Sequence, residues 1–266
     1  MEYNFDDQEY EWFKTEFYKL SKLDLNMYKQ DQMKRRICTY VYRRFKLTYR
    51  EFIDLISENE YEFNAFLEYL TINVSEFFRN VEQWEILKNE ILPILMSISN
   101  KSKIRIWSSA CSSGEEPYSL AMLLTKYLNG RDFEIIATDI DDGILKRAKR
   151  AVYKLEDFDK IPAEYKQWFK SQDYDMYSID ESIKEKVTFK KLNLLRDAYP
   201  DNIDLLVCRN VLIYFVEEAK EEIYGKFSDA LVDKGILFVG SSEQIVNSLE
   251  YNLKAIKTYF YQKDKK

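Results

Sequence analysis

A turn of small residues, the acidic pair that follows it and one acidic residue further on are where this sequence could do chemistry. Residues 104–124 read IRIWSSACSSGEEPYSLAMLL: a short apolar run, a turn of small side chains, then an amphipathic helical pattern. In open α/β sheets, ligands sit beyond the carboxyl ends of the strands, where the strand order switches. Ser109, Ala110, Ser112, Ser113 and Gly114 let a ligand approach the backbone closely. The turn carries neither GxGxxG nor GKS/GKT, so it has no dinucleotide fingerprint and no phosphate loop, and Glu115–Glu116 sits where a phosphate would be repelled. Taken alone, the turn is more simply read as an ordinary strand–helix connection with helix-capping serines. Asp139 changes that balance. It ends the run IIATD, and an acidic residue about twenty positions past such a turn can accept both hydrogen bonds of a ribose diol. The alternative for it is a helix N-cap, which Asp141 or Asp142 would supply equally well. A nucleoside without a negative phosphate tolerates Glu115–Glu116. S-adenosylmethionine, cationic at sulfur and at its amino group, is such a ligand.

Composition narrows the chemistry further. The chain has 266 residues and no histidine, which excludes histidine-based triads, HExxH zinc sites and histidine general bases. No metal site is expected. Cys38, Cys111 and Cys208 form no CxxC pair, so free thiols in a reducing compartment are the simplest account. Cys111 and Cys208 flank the expected site, but no base is placed to activate them, and they read as packing residues. The net charge of −6 argues against nucleic acid as a partner. No signal peptide opens the chain, and its longest apolar run, ILPILMSI, is too short to span a bilayer, so a cytoplasmic location without membrane insertion is expected.

The elements that must position these residues fall into two kinds. Over the first seventy residues, Tyr10, Phe13, Phe17 and Leu20, then Met33, Ile37, Val41 and Phe45, then Phe52, Leu55 and Ile56, recur at helical spacing, and YEFNAFLEYL is a fourth helical pattern. This predicts a small all-α domain over 1–70. A linker and connecting helix over 71–103 follow. From residue 104 the runs IRIWS, FEIIATD, VTFKKLN, IDLLVC and ILFVG alternate with helical segments, which predicts a parallel sheet with helices on both faces over 104–266. LKAIKTYFYQ reads as one closing strand. Residues 152–186 interrupt the alternation. They are too long for a structureless loop, so an inserted helix and β-subdomain is expected there.

The ordered set of motifs resembles one family, the CheR-type chemoreceptor glutamate methyltransferases. It is carried by YLTINVSEFFRN (69–80), IRIWSSACSSGEEPYSLAM (104–122), IIATDIDDGILKRAKRAVY (135–153), KLNLL (191–195), IDLLVCRNVLIYF (203–215) and ILFVGSSEQI (236–245), with LDLNMYKQDQMKRRI resembling the helical domain. The resemblance implies a Rossmann-like class I methyltransferase domain with a small β-subdomain, behind the all-α domain. It implies S-adenosylmethionine as cofactor and S-adenosylhomocysteine as product. It places Asn73, Ser75 and Arg79 in a segment closing over the cofactor, Ala110 and Glu116 near its methionine part, Asp139 on the ribose, Asn193 and Leu194 near the adenine, and Arg209 and Asn210 at the fourth strand's end, also as cofactor-binding residues. Arg79 and Tyr214 correspond to residues near the transferring methyl group; in isolation they would read as a surface arginine and a half-buried core tyrosine. The implied reaction makes methyl esters of receptor glutamates in chemotactic adaptation. A same-fold methyltransferase with another protein substrate, or a non-catalytic sensor or scaffold that binds the cofactor, are the alternatives.

Two features bear on partners. The basic stretch KRRICTYVYRRFK (34–46) reads either as a solvated amphipathic helix or as a docking surface for an acidic, helical receptor domain, with Arg36 and Arg43 expected on one face. In some family members a glycine-rich loop of the β-subdomain grips the receptor's C-terminal peptide as an added strand. The matching FKSQDYDMYSID (169–180) has no glycine. Without it, positive φ is disfavoured, so tethering of that kind is not expected.

Overall fold

Aromatic residues at helical spacing build the first core. A computed structural model describes residues 6–98 and 102–264. The first unit holds helices α1 (Asp7–Ser21), α2 (Gln30–Tyr40), α3 (Tyr49–Glu58) and α4 (Glu60–Leu70), and all but α2 start where a short polar side chain caps them. Asp6 accepts from the Gln8 amide, Asn59 from the Glu62 amide, and Thr48 with Glu51 closes a capping box. Between them Phe13, Phe17, Tyr40, Tyr49, Phe52 and Phe66 are buried, with Phe52 and Phe66 edge-to-face at 4.9 Å. Leu20, expected inward, is exposed because α1 ends one residue later, at a left-handed Lys22. These helices form one compact unit with Tyr214–Glu221; there Tyr28 pairs with Phe215, and the Lys29 amide donates to the Tyr214 carbonyl at 2.9 Å.

The expected basic face is broken up. α2 runs into a wide π-turn, Val41–Phe45, so a seven-residue interval no longer keeps register. Arg36 donates from Nε and Nη2 to the Tyr69 carbonyl and lies 4.2 Å from the Tyr69 ring centroid. Arg44 is committed to Tyr40 and Glu62. Arg35 and Arg43 are exposed and have no ion-pair partner among the described residues.

The second unit, Asn73–Ile213 with the chain from Glu222 on, is built on a seven-stranded sheet. Its strands are β1 (Lys103–Ser108), β2 (Asp132–Asp139), β6 (Val187–Lys191), β7 (Ile203–Cys208), β8 (Leu231–Val239), β9 (Leu253–Lys257) and β10 (Phe260–Lys263). They lie in the order β6-β2-β1-β7-β8-β10-β9, parallel from β6 to β8 and antiparallel thereafter. Every residue of β7 is buried, as befits the middle of a sheet covered on both faces. Strand order reverses between β1 and β7, which puts the ligand crevice at their carboxyl ends. Helices α5 (Val81–Ile86) and α6 (Leu92–Ile98) precede the first strand, and α7 (Glu115–Tyr127), α8 (Asp142–Arg150) and α11 (Glu217–Ala230) lie between strands.

The last ten-residue run is two antiparallel strands rather than one. Its turn is made by Thr258 and a left-handed Tyr259, with no glycine or asparagine to announce it. The inserted segment carries a separate three-stranded antiparallel sheet, β3 (Val152–Lys154), β5 (Met176–Ile179) and β4 (Phe169–Ser171), with α9 (Leu155–Asp159) and α10 (Glu181–Lys184). Phe158 stacks on Tyr177 at 4.0 Å. Between β4 and β5, Tyr174 (φ 57°) and Asp175 (φ 55°) are both left-handed. The reason given for doubting a tethering loop therefore fails: the turn reaches positive φ without glycine.

Candidate active site

The turn after β1 is stitched to both neighbouring strands. The Ser109 amide donates to the Val207 carbonyl of β7 and the Cys111 amide to the Thr138 carbonyl of β2, each at 2.9 Å. Gly114 (φ 97°) closes the turn and starts α7; a Cβ there would lie 3.0 Å from the Tyr153 hydroxyl. The acidic pair is then at a helix N-terminus, where the macrodipole favours carboxylates. Glu115 accepts from the Ser113 hydroxyl at 2.7 Å and from Ser75. Glu116 accepts from the Ser108 hydroxyl at 2.8 Å and faces Arg209 at 3.5 Å. Burial pushes both carboxyls above their ordinary values, against these hydrogen bonds and, for Glu116, the Arg209 charge.

Asp139 ends β2 beside that turn. Its carboxylate accepts from the Ser112 amide at 2.8 Å and the Asp141 amide at 3.2 Å. Burial raises its pKa to about 6, while those amides pull the other way. A carboxylate offers about four acceptor positions, so a diol can still be taken on. The buried Ser112 hydroxyl oxygen has no hydrogen-bond partner among the described residues, and Ala110 is half-buried at the same turn. These residues fit a nucleoside that carries no phosphate. The N-cap alternative for Asp139 goes instead to Asp141, which accepts from the Gly143 and Ile144 amides and, through its other oxygen, from the Asn73 side chain at 2.9 Å. The Leu192 amide donates to the Asp139 carbonyl, which brings the turn of Asn193 and Leu194 alongside. Within that turn Asn193 accepts from the Leu195 amide and Leu194 is buried.

Beyond β7, Arg209 is buried; its Nη2 is committed to residues 79–83 and its Nη1 faces Glu116, while its buried Nε has no hydrogen-bond partner among the described residues. Nη2 donates to the Arg79 carbonyl at 2.7 Å, to Gln83 Oε1 at 2.8 Å and to Asn80 Oδ1 at 3.3 Å. Asn210, left-handed at φ 61°, is set by Glu243, whose carboxylate accepts from the Asn210, Leu212 and Gly240 amides at 2.6–2.9 Å. A Cβ on Gly240 would fall 2.3 Å from Glu243 Oε2. Arg79 is half-buried; among the described residues its guanidinium makes one hydrogen bond, to the Val74 carbonyl at 3.3 Å, and has no carboxylate partner. Burial pushes the Cys111 and Cys208 thiols well above their ordinary value, which leaves them protonated and inert. Tyr214 falls in the segment that packs with the helical unit, where its carbonyl is occupied by Lys29.

Two groups thus form in the second unit: Asp139 with Ser112, Asp141, Asn73 and the Asn193 turn, and Arg209 with Glu116 and the linker carrying Arg79. Sequence reasoning missed Ser108, Trp84, Gln83 and Glu243. Glu243 lay within a motif segment already singled out, but nothing marked it as a triple acceptor.

Comparison with known proteins places the whole chain in one family. Residues 73–261 match the CheR methyltransferase SAM-binding domain and residues 8–71 the CheR all-alpha domain. A chemotaxis protein methyltransferase of Listeria innocua is 40% identical over 91% of this chain and 92% of its own, and that of Listeria monocytogenes is equally similar. The chemotaxis protein methyltransferase of Salmonella typhimurium is 32% identical over 79% of this chain and 74% of its own. With both domains matched in order, the chain belongs to the CheR family of S-adenosylmethionine-dependent methyltransferases.

Proposed function

We propose that this enzyme esterifies glutamate side chains of chemoreceptors in chemotactic adaptation. The observation that supports this most is Arg79: a guanidinium on a well-anchored backbone, with four of its five N–H groups uncommitted among the described residues and no carboxylate of its own. Such a fork matches an acceptor carboxylate bidentately. A glutamate, with a pKa of ~4.3, is already ionised at neutral pH and needs no general base. A chain without histidine loses nothing by that.

When bound, S-adenosylmethionine supplies a methyl group on a cationic sulfur, and the carbon–sulfur electron pair leaves with the sulfur as a carboxylate oxygen forms the new bond. The protein's part is alignment and exclusion of water. Asp139 would take the ribose hydroxyls, with Ala110 and Ser112 at the turn, Asn193 and Leu194 toward the adenine, and Asn73 and Ser75 in the linker. Glu116 would supply negative potential toward the cofactor's cationic end, and Asn210 the turn beyond β7. Arg79 would hold the acceptor and Tyr214 orient it. The decisive assay is transfer of labelled methyl to receptor-containing membranes, with alkali-labile label as the signature of an ester. Alkali-stable label, or label on other proteins alone, would reject the substrate.

For docking, Arg35 and Arg43 carry the free charge of the basic helix. Reversing both to glutamate should raise the KM for receptor by roughly two- to thirtyfold, since exposed pairs contribute ~0.2–1 kcal/mol each, and leave cofactor affinity unchanged. Direct capture without a C-terminal tether remains part of this proposal. It rests on the brevity of the turn, since only residues 172–175 join β4 to β5. A large rate loss on removing the receptor's last residues would overturn it.

A further inference from the structure

We infer that Arg209 and Trp84 are positioning residues for Arg79: together they grip its carbonyl oxygen and so fix where its guanidinium meets the methyl acceptor. This rests on the acceptor role proposed for Arg79. The Arg79 carbonyl accepts from Trp84 Nε1 at 3.0 Å and from Arg209 Nη2 at 2.7 Å, which uses both of its lone pairs.

The residues on either side are held as firmly. Phe78 (φ 50°) and Asn80 (φ 60°) are both left-handed, a conformation a phenylalanine adopts only when its surroundings over-determine it. Here they do. Phe78 is buried, stacks on Tyr165 at 4.3 Å and donates its amide to the Ser119 hydroxyl at 3.1 Å. A left-handed residue thus stands on each side of Arg79, whose carbonyl is gripped twice while its guanidinium makes one long hydrogen bond, to Val74.

Arg209 is placed for that task through its Nη2. Its guanidinium lies 4.9 Å from the Phe238 ring centroid and 5.7 Å from that of Trp84, with Glu116 on its other side. Its Nη2 partners all belong to residues 79–83. The Glu116–Arg209 pair thereby ties the start of α7 to the linker. Through that grip on its carbonyl, Arg209 acts on the reaction by way of Arg79.

Trp84→Phe removes one N–H and keeps the ring's packing; Arg209→Lys keeps a positive charge beside Glu116 and loses the fork. Each should lower kcat for receptor methylation by about ten- to a hundredfold, the scale of a misaligned reacting group, and leave S-adenosylhomocysteine affinity within about twofold by calorimetry. Amide exchange across 73–80 should rise in both. In an Arg79→Ala background, Trp84→Phe should add no further loss. A fully additive loss there, unchanged linker exchange, or an equal loss of cofactor affinity in Arg209→Lys would overturn the inference. Should the wild-type enzyme fail to methylate receptors, the substrate reading falls, and linker exchange in the two variants still decides whether the grip exists.

Discussion

Asp139 and Arg209 stand at the carboxyl ends of the two strands that flank β1, yet their partners differ in kind. Asp139 is held by backbone amides of its own turn and of the turn after β1, and keeps acceptor capacity to spare. Arg209 is held by the linker's carbonyl and side-chain oxygens and by Glu116. Both were expected on the cofactor. The carboxylate keeps acceptor positions for a ligand, whereas the guanidinium commits Nη2 to a loop and Nη1 to Glu116 and keeps only a buried Nε without a hydrogen-bond partner among the described residues. Charge at a strand end is therefore insufficient to name a ligand contact; what the charge already satisfies decides.

The largest effect should separate the two by stability. Arg209→Met leaves Glu116 buried without its counter-charge and should cost ~3–5 kcal/mol in urea unfolding. Asp139→Asn should stay within about 1 kcal/mol, because burial already disfavours the ionised carboxylate. Equal losses would erase the distinction.

The next effect is on binding. Asp139→Ala should weaken S-adenosylhomocysteine by ~1–3 kcal/mol, roughly five- to 150-fold in Kd. Calorimetry showing wild-type affinity would remove Asp139 from the ribose site.

The smallest effect is on pH. With a folded pKa of about 6, raised from 3.8, Asp139 favours folding fully below the unfolded value, and that contribution is lost as pH rises through about 6. Binding runs the other way. Ribose hydroxyls need the ionised form, so affinity for S-adenosylhomocysteine should fall as pH drops through about 6 and be flat above ~7. Asp139→Asn should abolish the dependence. A wild-type profile without that fall would mean that the ligand does not meet this carboxylate.

The sequence by itself determined the alternation of strands and helices, because β-branched runs and helical spacing are local patterns that the sheet β6-β2-β1-β7-β8 preserves. It also determined the aromatic helical core and the position of Asp139 at a strand end. It did not disclose the hairpin of β9 and β10 or the turn at Tyr174 and Asp175, since both put ordinary side chains at positive φ under tertiary constraint. Nor did it show that Arg36 is spent on Tyr69, or that α2 widens into a π-turn. Only the tertiary structure decided which charges remain free. Arg209 meets Arg79 across 130 positions and Glu243 meets Asn210 across 33. A carboxylate or guanidinium taken out of water must find partners wherever the fold brings them, and that pairing leaves no periodicity in the chain to be read.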